Sequence, residues 1–97
     1  MTTAKLTKTD REGKKYKVVV ERGDRKKTIH FGAAGMSDYT KNKDDERKKR
    51  YIERHRKREN WNDPFTAGYW SKNILWNKKT IKASIANTER TKNIDIT

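Results

Sequence analysis

The sequence has no cysteine, a single proline and few apolar side chains. Without cysteine the chain can form neither a disulfide framework nor a thiolate metal site, which fits a reducing compartment. Only 30% of the 97 residues are hydrophobic and 40% are charged, so we expect one domain with a small core. No apolar run approaches the length of a signal peptide or a membrane span. We therefore expect a soluble protein that stays inside the cell or is packaged there, with no membrane partner.

Residues that carry catalytic chemistry are also scarce. His30 and His55 are the only side chains that titrate near neutral pH. A zinc site would need carboxylates for its remaining ligands, because cysteine is absent. A nuclease centre of His55, Glu59 and Asp63 lacks the dense ligand cluster usual at catalytic metals. We therefore expect no catalytic residue, no metal site, no cofactor and no enzymatic activity.

Positive charge is what the chain has in excess. There are 26 Lys and Arg against 13 Asp and Glu, which gives a net charge of +13. That is about twice the charge that keeps a small domain soluble. An excess of this size indicates a polyanionic partner, whether nucleic acid, an anionic membrane surface or an acidic protein.

The basic residues are densest in the segment 44–58, which is predicted to form a helix. It opens with three acids, where the helix dipole favours negative charge. One side, with Lys48, Tyr51, Ile52 and His55, is expected to dock on the core. The seven cations on the two flanks are Arg47, Arg50, Arg54, Lys57 and Arg58 on one and Lys49 and Arg56 on the other.

These cations have two interpretations. In the first, the five-cation flank contacts phosphates, and its four arginines make bidentate hydrogen bonds. In the second, the helix is a solvated surface held by acid-to-base pairs at i,i+4, each worth about 0.2–0.5 kcal/mol. The four such pairs are Asp44–Lys48, Asp45–Lys49, Glu46–Arg50 and Glu53–Lys57. The uneven distribution of the cations favours phosphate contacts.

A β-hairpin is the clearest structural pattern in the chain, in KYKVVVERGDRKKTIHFG. A two-residue turn at Gly23-Asp24 would place Val18 opposite Ile29 and Tyr16 opposite Phe31, all on one apolar face. Because an isolated hairpin is not stable in water, helices must cover that face.

Helical patterns follow the basic segment. Pro64 breaks the preceding helix, and Thr66 is expected to cap a second helix that reaches Trp76 or Asn77. Residues 80–85 are expected to begin a third. The tryptophans are expected mainly in the core, and Trp61, in a loop beside the basic helix, is the exception.

The fold class that these patterns predict is α+β, with the N-terminal hairpin packed against two to three short helices. Polar composition at both ends predicts a flexible arm over residues 1–13 and a flexible tail over residues 87–97. The single domain is expected to span residues 15–86. Within the tail, Ile94-Asp95-Ile96 alternates like a strand and could pair with a hairpin edge.

The chain resembles a family of small basic proteins encoded by large DNA viruses of amoebae and algae, the marseilleviruses among them. Three segments carry the resemblance: TIHFGAAGMSDYT (28–40), DDERKKRYIERHRKRENW (44–61) and TAGYWSKNILWNK (66–78). The HFG, RYxxRH and ENW elements come in the same order. The resemblance implies a viral protein of the virion or of the viral factory in the host cytoplasm. It assigns no activity and no site residue. The run RHRKR at 54–58 also resembles a nuclear-localisation signal, which adds the host nucleus as a location.

A polycation of a large DNA virus is expected to bind double-stranded DNA non-specifically, in packaging or condensing the viral genome. The alternatives are a structural virion protein that bridges acidic surfaces and an adaptor for an acidic host nuclear protein. The small core, the open hairpin edge and the apolar second helix also suggest a homodimer.

Overall fold

The computed structural model describes residues 2–97, and its strands come from both ends of that range. Three strands form an antiparallel meander, and a fourth, short strand pairs in parallel with the first. They are β1 (Thr2–Lys8), β2 (Lys14–Arg22), β3 (Arg25–Ala33) and β4 (Ile94–Ile96). The order across the sheet is β3-β2-β1-β4, so β1 lies between the predicted hairpin and the C-terminal strand.

The hairpin of β2 and β3 has the predicted register. Val18 lies opposite Ile29, Tyr16 lies opposite Phe31, and the strands turn at Gly23-Asp24. Val18, Ile29 and Phe31 are buried, while Tyr16 is half-buried and stacks on the Phe31 ring. The turn and the alternation of apolar residues specify the same pairing, which is why the sequence predicts it.

Four α-helices follow the hairpin, each capped at its N-terminus by a side-chain oxygen. They are α1 (Tyr39–Asn42), α2 (Asp45–His55), α3 (Ala67–Trp70) and α4 (Ile81–Lys92), capped by Asp38, Asp44, Thr66 and Thr80. Thr66 is the cap that the sequence predicts. The helix it starts continues beyond α3 as a π-helical segment, Ser71–Leu75. The α+β fold class is therefore confirmed.

The core lies between one face of the sheet and the segment from Phe65 to Leu75. Tyr69, Trp70 and Ile74 from this segment pack against the buried residues of the hairpin. Trp70 is fully buried, and its indole Nε1 donates to the carbonyl of Pro64 at 2.7 Å. The second helix thus covers the hairpin, as predicted, and Trp70 is a core residue.

The predicted flexible arm over 1–13 is wrong for residues 2–8. Residues 2–8 form β1, which pairs with β2 along its whole length. Thr2 and Ala4 are buried and Leu6 is half-buried, while Thr3, Lys5 and Thr7 are exposed. The inward side chains are small or polar, so the alternation contains too little apolar bulk to stand out in the sequence.

The predicted flexible tail over 87–97 is also wrong, and the domain is not confined to residues 15–86. Helix α4, which the sequence predicts to begin within residues 80–85, extends to Lys92. Strand β4 follows it, with Ile94 and Ile96 buried. The centre of the buried side of α4 is polar. Ser84 Oγ accepts from the Lys78 N–H at 3.0 Å, and Thr88 Oγ1 donates to the Asn73 carbonyl at 3.2 Å. Hydrogen bonds anchor this helix, and a search for apolar periodicity does not detect them.

Among residues 2–97, no helix has the length and apolar character needed to cross a bilayer.

Candidate nucleic-acid interface

The acids at the start of α2 make hydrogen bonds that the ion-pair interpretation did not predict. The Asp44 carboxylate accepts from the backbone N–H groups of Glu46 and Arg47, at 3.0 and 3.3 Å. The Asp45 carboxylate accepts from the hydroxyl of Tyr39. Of the four predicted i,i+4 pairs, only Glu46–Arg50 forms, at 3.8 Å and with both side chains exposed. Such a surface pair contributes little to stability.

All seven predicted contact residues are exposed to solvent. Arg47, Lys49, Arg50 and Arg54 lie on α2, as the sequence predicts. The helix ends at His55, and Arg56, Lys57 and Arg58 lie in the turn after it. Arg56 keeps a helical conformation as the C-cap, with its N–H donated to the Ile52 carbonyl, so the placement on helical flanks is wrong for Lys57 and Arg58. The N–H groups of Arg58 and Glu59 donate to the His55 carbonyl, both at 3.0 Å, which holds this turn against the helix end.

The docking side of α2 is the predicted one. Tyr51 is buried, and Lys48, Ile52 and His55 are half-buried. The Tyr51 ring stacks on Trp76, with centroids 4.4 Å apart and planes 5° apart, and on His55 at 4.3 Å. Burial raises the pKa of Tyr51 to about 12, so its hydroxyl stays protonated in the neutral range.

Lys48 fixes the N-terminal half of α2 to the rest of the chain. Its ammonium donates to the Asn77 carbonyl at 2.6 Å and lies 5.0 Å from the centre of the Tyr39 ring. Burial, with the neighbouring charge of Lys78, lowers the pKa of Lys48. Lys48 and Tyr51 together anchor the helix so that its other cations point into solvent.

A cleft of about 430 Å³ opens between the end of the hairpin, the docking side of α2 and α3. Phe31, Leu75, Tyr51 and Trp76 supply its apolar lining, and Arg54 of the basic flank also lines it. The sequence does not predict this cleft, because its walls come from four separate segments. Trp76, at the end of the π-helical segment, is the residue that indicates where the cleft lies, because this aromatic side chain remains half-buried.

Beside this cleft, Lys15 and Asp38 form an ion pair shielded from solvent. The Lys15 ammonium lies 2.5 Å from Asp38 Oδ2 and 2.5 Å from the Met36 carbonyl oxygen. Burial by itself would raise the pKa of Asp38, but the hydrogen bonds from Lys15 and Thr40 outweigh it and hold the pKa below the ordinary value. The sequence does not predict this pair, because Lys15 lies on a strand and Asp38 in a loop.

The three residues considered for a nuclease are not all brought together. His55 Nδ1 lies 3.7 Å from Glu59 Oε1, and both side chains line the cleft. Asp63 instead accepts from the Phe65 N–H at 2.9 Å and stabilises the turn before α3. Over residues 2–97 there is no group of three or more His, Cys, Asp or Glu side chains placed to hold a metal ion.

Comparison with protein families finds one matching model, described as a family of unknown function, DUF5754, over residues 4–55. The match runs from within β1 to the last residue of α2. Curated proteins and solved structures show no significant match to the chain.

Proposed function

The chain belongs to DUF5754, a family of unknown function, and we propose that its helix α2, with which the family match ends, binds nucleic acid non-specifically. The phosphates contact the exposed cations of α2 and of the turn that follows it. These seven cations, Arg47 to Arg58 without Lys48, are called the basic surface below.

The observation that carries this proposal is the lack of acidic partners on the basic surface. In the part of the chain that the structure describes, Arg50 alone among these cations lies within ion-pair distance of an acid. The neighbouring acids Asp44 and Asp45 bind backbone N–H groups and the Tyr39 hydroxyl instead. Six exposed cations without an acidic partner, on one helix and the turn that follows it, are the kind of group that neutralises phosphates.

Double-stranded DNA is the expected ligand, with the phosphates rather than the base edges contacted. The resemblance of residues 28–40, 44–61 and 66–78 to small basic proteins of large DNA viruses supports the proposal, since such viruses package a long duplex. On this basis the protein condenses or packages a viral genome, in the viral factory and the virion.

The salt dependence of binding tests the proposal. If about five phosphates are neutralised, the slope of log K against log salt is roughly −4.5. Raising salt from about 50 to 200 mM then weakens binding to a duplex roughly 500-fold. Replacing Arg50, Arg54 and Lys57 together by Gln should flatten the slope by about three units, because each of these exposed side chains is expected to neutralise one phosphate.

A matched control removes the same charge elsewhere. Lys79, Lys82 and Arg90 are exposed, lie in or just before α4, and form no ion pair within residues 2–97. Their triple Gln variant should keep a slope close to that of the wild type. Equal flattening by both variants would show that net charge, rather than the basic surface, determines binding. Absence of duplex binding at low salt would overturn the proposal and leave the bridging of acidic surfaces in its place.

A further inference from the structure

The cleft beside the basic surface presents aromatic rings to solvent at the position where α2 ends. The Tyr51 ring is buried between its neighbours, but His55 and Trp76, which stack on it, are only half-buried and line the cleft. The rings of Tyr51 and Trp76 are parallel within 5°. A further planar ring can extend this stack from within the cleft, as bases do on aromatic side chains.

The charged side chains around the cleft differ in whether they have a partner of opposite charge. Lys15 is neutralised by Asp38 at 2.5 Å, and Glu59 faces His55 at 3.7 Å. Arg54 and Lys14 also line the cleft; both are exposed, and neither forms an ion pair within residues 2–97. The cleft therefore combines an aromatic lining with two unpaired cations at its edge. A planar ring that carries a negative group next to it fits both features.

We propose that the cleft binds an unpaired base of a single-stranded nucleic acid, stacked on Trp76, while Arg54 contacts a neighbouring phosphate. The inference rests on the proposed function, since Arg54 belongs to the basic surface and connects the two sites. A volume of about 430 Å³ accommodates a base and its sugar. A base inside a duplex cannot enter, because it is already stacked between its neighbours. The site is indifferent to base identity, since every base offers an aromatic face.

The test compares oligonucleotides of equal charge on the unmodified protein. A single strand of about a dozen thymidines is measured against the same backbone with abasic sites throughout, by fluorescence anisotropy. Stacking of one base, worth about 1–3 kcal/mol, should make the thymidine strand bind about 5- to 150-fold more tightly than the abasic strand. Equal affinities would overturn the inference while leaving the phosphate-binding proposal intact. Failure of both strands and of a duplex to bind at low salt would overturn both proposals.

A pair of variants then locates the base. Trp76→Leu should reduce the ratio of the two affinities to about one, because the exposed stacking surface is lost. Trp61→Leu is the matched control and should keep the ratio, since Trp61 does not line the cleft. Because an unfolded polycation also binds both strands through their phosphates and lowers the ratio, the ratio is read only for a variant whose circular dichroism matches that of the wild type. A wild-type ratio in Trp76→Leu would exclude Trp76 as the surface on which the base stacks.

Discussion

At the scale of single residues, Asp38 connects the loop after β3 to β2 and to α1. It accepts hydrogen bonds from Lys15 of β2 at 2.5 Å and from the Thr40 N–H at 2.9 Å, and it is almost fully buried. Asp38→Asn removes the charge and leaves the Lys15 ammonium without its partner. Because breaking a shielded ion pair is costly, we expect the free energy of unfolding to fall by about 3 kcal/mol. Urea denaturation measures this, and Asp10→Asn, at an exposed position, is the control.

The same carboxylate predicts acid sensitivity. The pKa of Asp38 is lower in the folded chain than its ordinary value of 3.8. The ionised form therefore stabilises the fold above about pH 4, and this contribution is lost as the pH falls through the folded-state pKa. Acid titrations monitored by circular dichroism should show a shallower loss of stability below about pH 4 in Asp38→Asn than in the wild type. Parallel curves for the two proteins would contradict the assignment.

Alanine substitutions at two glycines distinguish the energy of backbone strain from the energy of steric clash. Gly32 and Gly35 both have positive φ, at +79° and +83°, where a side chain costs about 1–2 kcal/mol. A Cβ on Gly32 would also lie 2.7 Å from Leu75 Cδ1 in the core, whereas one on Gly35 meets nothing within 4 Å. We expect Gly32→Ala to lower the free energy of unfolding by about 1–3 kcal/mol more than Gly35→Ala. Equal losses in urea denaturation would show that Leu75 moves aside without cost.

At the scale of elements, the sequence predicts those whose local signals agree and misses those whose partners are distant. The hairpin and α2 are predicted because turn, alternation and cap agree within each segment. The apolar residues on the inward side of β1 are only Ala4 and Leu6. The strand is stabilised by β2 and β4 on either side of it, which its own sequence does not indicate. The buried centre of α4 is Ser84 and Thr88, whose hydrogen bonds go to residues before the helix. In the candidate site, the cations of α2 are predicted and the cleft is not, for the same reason.

Limited proteolysis distinguishes this arrangement from one with a flexible arm. Trypsin needs a locally unfolded segment, and the turn at Arg56–Arg58 is exposed and outside any strand or helix. Lys5 and Lys8 lie in β1, which is hydrogen-bonded to β2 along its length. We therefore expect the first cuts after Arg56, Lys57 or Arg58, identified by intact-mass spectrometry. Early cuts after Lys5 or Lys8, as a flexible arm would give, would contradict the pairing of β1, whereas a cut after Arg11 would not, because Arg11 lies in the exposed turn between β1 and β2.

At the scale of the whole molecule, self-association stays a prediction, and the structure offers fewer uncovered surfaces for it than the sequence suggests. The apolar helix that begins after Thr66 is covered by the chain itself. Met36 is the one large hydrophobic side chain exposed within residues 2–97. The edge of β3 remains open, since this strand pairs only with β2. We propose that a homodimer forms by pairing this edge with a second copy.

Light scattering measures the mass against salt concentration. Each copy carries a net charge of +13, so salt should favour the dimer by screening repulsion between copies. This dependence is opposite to that expected for nucleic-acid binding. A mass of 11.5 kDa at all micromolar concentrations and at both low and high salt would exclude the dimer.

The parallel pairing of β4 with β1 has a consequence for how the chain is made. Thr2 pairs with Ile94 and Ala4 with Ile96, so almost the whole length of the chain separates the two strands. During translation the meander of β1, β2 and β3 is completed early, because its contacts are local. The outer edge of β1 then stays open until Ile94–Ile96 emerge from the ribosome. Throughout that interval the nascent chain carries an unpaired strand edge that other nascent chains can occupy, and the four-stranded sheet closes only when β4 is available.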